Sequence, residues 1–228
     1  MQLFAWVGAS AFAVSLTYLV YFYAVVLGIA AADDGRTVRD VAVNTALFSG
    51  FALHHSLLAR SGAKAWITRY IPAGSERTVY VWIASLLLLA VCTLWQSLPG
   101  TVYQLRGIGR WLGYAIQVSG AVVAVRAAGV IDVFELAGIR QARTARSTEV
   151  LRVVGPFRVV RHPIYLGWML AVFGTPTMTS DRLLFATISS VYLLLAIPLE
   201  ERSLLAVHGN DYRKYTDAVR WRVIPGVW

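Results

Sequence analysis

Charge is the scarcest ingredient of this 228-residue chain: only 14% of its residues are Asp, Glu, Lys or Arg, against roughly 25% in a soluble domain. Whole tracts carry none, among them 1–32 and 78–105, and each is longer than the ~20 apolar residues that cross a bilayer. An ordinary soluble fold is thereby excluded. Cysteine is nearly missing as well, and Cys92 alone cannot close an intrachain disulfide, which removes the stapled secreted folds. The four histidines follow no Cys/His spacing, so no metal site is expected. No repeat of fixed period and no low-complexity linker interrupts the chain, and one integral domain over 1–228 is the expected organisation.

What remains is mostly apolar. Hydrophobic residues make up 57% of the chain, and charge-poor runs at 2–32, 41–59, 78–98, 109–130, 163–180 and 183–199 suit transmembrane helices. The fold class predicted is all-α, a polytopic helical bundle of about six spans. The first run starts at Met1 without a basic leader and exceeds a signal-peptide core, so it is expected to be a retained helix. The net charge of +9 suggests nucleic acid less than basic loops on one face of a membrane. With six spans, sixteen Lys and Arg fall on the side holding both termini and five on the other, which makes the first side cytosolic. Gly109 and Gly113 in the fourth span stand at GxxxG spacing, a pattern that lets helices approach closely.

Polar residues gather in two places. The last two runs are separated only by Asp181 and Arg182, which predicts a tight hairpin whose open ends, Arg161-His162 and Glu200-Glu201, meet at one membrane depth. Two carboxylates at a helix C-terminus beside hydrocarbon need a cationic partner. Arg158, Arg161 or Arg202 would supply it, and so would a cationic ligand. The second place is His54-His55 in the second run. Adjacent helical residues diverge by about 100°, so only one of the pair is expected to face a given partner. A hydrogen bond to a neighbouring helix and a place beside a substrate cavity both account for such a histidine. The stretch 60–77, with Trp66, Tyr70 and four basic residues, reads as interfacial. The stretch 126–161 reads as an amphipathic piece or a lid.

The residues Gly155-Pro156-Phe157-Arg158, Arg161-His162-Pro163, Tyr165-Leu166-Gly167, Pro198, Glu200-Glu201, Leu204, Gly209, Tyr212, Tyr215 and Arg222 to Pro225 resemble the membrane methyltransferases related to isoprenylcysteine carboxyl methyltransferase. Phe51 to Arg60, Glu76-Arg77, Tyr80, Trp95-Gln96, Pro99 and Asp132 to Gln141 resemble the bacterial branch that includes methanethiol S-methyltransferases and NnrU-like proteins. A departure from the wider pattern is His208, where an aromatic Phe is usual. The resemblance implies an enzyme taking S-adenosylmethionine from the cytosol, with a core at about 131–228 after N-terminal spans within 1–130. It implies a cofactor pocket lined by Arg161, His162, Pro163, Tyr165, Leu166, Gly167, Glu200, Glu201 and Tyr212. The methyl acceptor it implies is small or lipid-like, either a thiol or an isoprenylcysteine-type carboxylate. A thiol needs a base, for which His54 and His55 are the candidates, while a carboxylate would be oriented by Arg202 or Arg222. Membrane lipids are expected partners, nucleic acid is not, and the bacterial inner membrane is the expected location. The rival readings are a small membrane transporter and a non-catalytic binding protein on the same fold.

Overall fold

The computed structural model describes residues 2–33, 35–58, 69, 76–131 and 151–228. The expected roles of Arg60, Trp66, Tyr70 and Pro72, of the Glu76 and Arg77 side chains, and of 132–150 lie outside the described residues. Among those described, helix dominates: α1 (Gln2–Ala24), α2 (Thr37–Leu58), α3 (Glu76–Leu94), α4 (Gly107–Ile131), α5 (Pro163–Phe173), α6 (Ser180–His208) and α7 (Asn210–Ala218). The sole strands described are β1 (Thr101–Gln104) and β2 (Thr177–Thr179), which pair antiparallel. The fold is an all-α membrane helical bundle. Trp6–Gly28, Gly107–Ile131 and Ser180–His208 are long and apolar enough to cross a bilayer, and Thr78–Leu94 and Pro163–Phe173 are shorter apolar helices.

The described residues divide into two compact units, 2–100 and 101–228. In the first, both α1 and α2 pack on α3. Trp82 stacks on Phe4 at 5.9 Å and donates to its carbonyl, while Gly8 leaves room for the indole, which a Cβ there would meet at 3.0 Å. Where α3 ends, the fully buried Asn44 bonds Gln96 twice, donating to its carbonyl at 2.7 Å and accepting from its N–H at 2.8 Å. An amide side chain thus closes a helix terminus that would otherwise bury unpaired backbone groups. Phe22 lies edge-on to Trp95 beside this closure.

In the second unit α4 and α5 run against each other at glycines. A Cβ on Gly120 would lie 2.5 Å from the Gly167 carbonyl, and one on Gly167 would lie 2.6 Å from the Gly120 carbonyl, so the two backbones touch. Gly113 meets Gly174 and Pro176, whereas Gly109 meets only Leu105 of its own chain segment. The close approach therefore recurs after seven residues, at Gly113 and Gly120, with Ala127 buried seven further on, and does not run through the GxxxG pair. A helix has 3.6 residues per turn, so a spacing of seven returns more nearly to one face than a spacing of four.

The final hairpin differs from its sequence expectation in how it turns. The run 163–180 is not one helix: α5 stops at Phe173, and Gly174, Thr175 and Pro176 lead into β2. Pro176 disfavours helical backbone at the residue before it. Asp181 and Arg182 are not the turn but the buried first turn of α6. Arg182 donates from Nη1 to the Thr175 hydroxyl and the Thr177 carbonyl, locking the connection. Eleven helical residues rise ~16 Å and the six that follow cover up to ~20 Å if extended. That length suffices to match α6 as far as Glu200.

Candidate functional site

Local chemistry sets the start of α5. Pro163 occupies the first helical position, where its fixed φ suits the helix and its missing N–H costs nothing, and His162 is the cap residue. Ahead of it, Arg161 N–H donates to the Trp221 carbonyl at 2.9 Å and His162 N–H to the Arg222 carbonyl at 2.8 Å. The Arg161 guanidinium extends the same clamp, donating from Nη1 to the carbonyls of Val219 and Arg220. The C-terminal segment thus holds 161–162 in place through backbone atoms alone on its side.

Against this clamp α6 delivers its two carboxylates, just past the charge-free stretch 183–199. Arg161 Nε donates to Glu201 Oε1 at 2.7 Å, and Arg222 Nε donates to Oε2 at 3.2 Å. His162 lies between both acids, with Nε2 3.4 Å from Glu201 Oε1 and Nδ1 3.5 Å from Glu200 Oε2. The Tyr165 hydroxyl donates to Glu200 Oε2 at 2.7 Å, and its ring stacks on His162 at 5.3 Å. Pro198 sits inside α6 two residues earlier and cannot donate a helical hydrogen bond. The two acids differ in exposure: the Glu201 side chain is 13% exposed and that of Glu200 is 46% exposed.

Burial alone would lower the pKa of His162, but its hydrogen bonds with Glu200 and Glu201 and their negative charges outweigh that and raise it. The imidazolium thus persists to higher pH than in a free histidine. Burial pushes the Tyr215 phenol up to about 12, and its hydroxyl donates to the Phe157 carbonyl at 2.8 Å. Burial, reinforced by the charge of Glu201, raises Tyr212 as well. The Tyr212 hydroxyl is buried without a hydrogen-bond partner among the described residues.

The structure therefore brings together Arg161, His162, Tyr165, Glu200, Glu201 and Arg222. Gly167 faces α4, with Gly120 and Ala124 where its side chain would be. Leu166 is half-buried on α5, Pro163 is buried, and Arg202 is exposed and takes no part in bonding Glu201. Of the cations proposed for the acids, Arg161 is engaged while Arg158 turns to the Val153 carbonyl. Arg222 is a partner the spacing argument overlooked. The backbone clamp from 219–222 carries no side-chain signature, so only the run Arg222 to Pro225 hinted at it.

His54 and His55 lie in the other unit, on α2. Tyr80 of α3 meets both: its ring stacks on His54 at 5.6 Å and 13°, and its hydroxyl is 2.7 Å from His55 Nδ1. Two adjacent histidines share one partner here because they meet different parts of it, His54 the ring face and His55 the hydroxyl.

This chain is 37% identical over 221 residues to methanethiol S-methyltransferase 2 of Bradyrhizobium diazoefficiens, a match covering 93% of this chain and 85% of the relative. It is 38% identical over 183 residues to methanethiol S-methyltransferase of Mycobacterium tuberculosis, covering 78% and 75%. Nurim of Rattus norvegicus is more distant, at 28% over 203 residues, covering 82% and 76%. No family model matches the chain, and no solved structure does. A helical membrane bundle with this acid–base cluster and these relatives belongs to the methanethiol S-methyltransferase family of membrane methyltransferases.

Proposed function

We propose that the protein methylates a small uncharged thiol, with S-adenosylmethionine as donor, at the cluster joining α5, α6 and the C-terminal segment. The observation carrying this reading is the unequal pair of acids. Glu201 is enclosed by Arg161, Arg222 and His162, whereas Glu200 keeps an exposed carboxylate beside a tyrosine and an imidazole. The donor set suits an amino-acid tail: Glu200 would take its amine, and Arg222, 35% exposed with one ion pair, would take its carboxylate. The orphaned Tyr212 hydroxyl gives a ligand one further hydrogen-bond partner. S-adenosylmethionine would supply a methyl group carried on a sulfonium sulfur. The faces of Tyr165 and of Trp168, whose indole N–H is fixed by the Ser189 hydroxyl at 2.9 Å, would receive its cationic and aromatic parts.

The acceptor is assigned from the relatives' activity, in preference to a prenylated carboxylate. The distribution of Lys and Arg supports both termini and the cluster on the cytoplasmic side, and the bacterial relatives favour an inner-membrane location. A cofactor core within about 131–228 would hold the whole cluster, whose residues run from Arg161 to Arg222. Labelled methyl transfer in lipid nanodiscs, with methanethiol and a prenylcysteine offered separately, tests the reading. Label is expected on the thiol alone. Transfer to neither would overturn it.

A further inference from the structure

Past its contacts with Arg161 and His162, the segment 219–228 folds back on Arg222. Its path is set by Pro225 and Gly226. Gly226 has a φ of +82°, a backbone conformation that suits glycine, and Val227 N–H donates to the Ile224 carbonyl at 3.1 Å. Ile224 to Val227 thus form a turn with proline second and glycine third, the type II pattern. Beyond the turn, the main-chain oxygen of Trp228 accepts from the N–H groups of Val223 and Ile224 at 2.9 and 3.0 Å, and Trp228 N–H donates to the Ile224 carbonyl at 3.1 Å. The fully buried Val223 side chain fixes the base of this loop. The loop returns the Trp228 ring to Arg222, whose guanidinium carbon lies 5.2 Å from the ring centroid, within cation–π reach. A ring serving only to fill a core would be buried, whereas Trp228 is 39% exposed and covers a cation.

Arg222 is thereby held at three points. Its main-chain carbonyl accepts from His162 N–H at 2.8 Å, its Nε donates to Glu201 Oε2 at 3.2 Å, and its guanidinium faces the Trp228 ring. Its Nη1 and Nη2 have no hydrogen-bond partner among the described residues. We infer that Trp228 is a positioning residue for donor binding, one that holds this Nη pair as a ready fork for the carboxylate of S-adenosylmethionine; this rests on the function proposed above. A guanidinium edge and a carboxylate are both planar and match through two parallel N–H···O bonds. An arginine side chain left free has many rotamers to lose on binding, and one already fixed loses fewer. Trp228 acts through Arg222 alone, and both belong to the compact unit that carries the whole cluster.

The test is titration calorimetry on the full chain in lipid nanodiscs, with S-adenosylmethionine and with its decarboxylated analogue, which keeps the sulfonium and the amine but lacks the carboxylate. Trp228→Ala is expected to weaken S-adenosylmethionine about five- to tenfold and to leave the affinity for the analogue unchanged. Trp228→Phe restores an aromatic face and should recover most of the loss. Should Trp228→Ala not fold, Trp228→Leu takes its place, keeping apolar bulk without that face, and the same selective loss is expected. Equal weakening of both ligands would reduce Trp228 to a support of the fold and overturn the inference. Unchanged affinity of the variant for S-adenosylmethionine would also remove it, as would a wild-type protein that binds the two ligands equally well; both results leave thiol methylation intact. A wild-type protein that binds neither ligand would instead remove the function proposed above.

Discussion

At the scale of single residues the two glutamates, adjacent in sequence, have separable duties. Glu201→Gln strips Arg161 and Arg222 of their shared anion, and loss of one partner of a mostly buried pair is expected to cost about 2–3 kcal/mol. A fall in thermal unfolding temperature checks this. Glu200→Gln, at a half-exposed position, keeps an acceptor for the Tyr165 hydroxyl but loses the charge beside His162, so it should lower that temperature less than Glu201→Gln does and weaken S-adenosylmethionine about tenfold in titration calorimetry. His162 gives the pH dependence. Its pKa is raised in the folded protein, so its contribution is complete below the unfolded value of about 6.5 and fades as pH climbs through the folded value. Unfolding temperature should therefore drop on passing from pH 6 to alkaline pH, and His162→Gln should show a flatter curve over that window. The meeting of Arg161-His162 with Glu200-Glu201 was readable from sequence because only hairpin geometry was needed. The part played by Arg222 was not, since the tail that carries it is anchored to 161–162 through main-chain carbonyls, which leave no side-chain pattern.

At the scale of elements, the sequence expectation located helices well and their contacts poorly. Apolar run lengths follow from hydrocarbon thickness, so the runs at 2–32, 41–59, 78–98, 109–130 and 183–199 each fall on a helix, α1, α2, α3, α4 and α6. Which glycine touches which neighbour depends on rotation about the helix axis, and an apolar helix surrounded by apolar chain and lipid offers no amphipathic stripe to reveal it. The consequence is measurable. Gly120→Ala and Gly167→Ala each push a methyl group within 2.5–2.6 Å of main-chain atoms, and overpacking of this kind is expected to cost about 1–3 kcal/mol. Gly129→Ala, on the same helix with nothing within 4 Å of the added carbon, should be neutral or gain a few tenths of a kcal/mol. Parallel chemical unfolding of the three variants in detergent distinguishes these outcomes. The shortened α5 was hidden for a related reason: Gly174 and Pro176 are weak stops inside an otherwise continuous hydrophobic run.

At the scale of the whole molecule, membrane residence was the easiest property to read, because missing charge is a bulk quantity that no local detail reverses. Chemistry was harder. Six side chains from three separate stretches make the acid–base cluster, and composition says nothing of their convergence. The His54–Tyr80–His55 group illustrates the same limit, since Tyr80 lies 25 positions from His55 on a different helix, with no spacing rule to link them.

α6 is unbroken from Ser180 to His208, tied by Arg182 at one end and by Glu200-Glu201 at the other. It therefore acts as a ruler whose length is part of the chemistry. One alanine inserted between 183 and 199 would swing both acids by about 100° and lift them ~1.5 Å, out of reach of Arg161, without removing any atom of the cluster. A deletion of the same size would rotate them the opposite way. Among relatives, length changes should thus be tolerated in the surrounding connections long before they are tolerated in this segment.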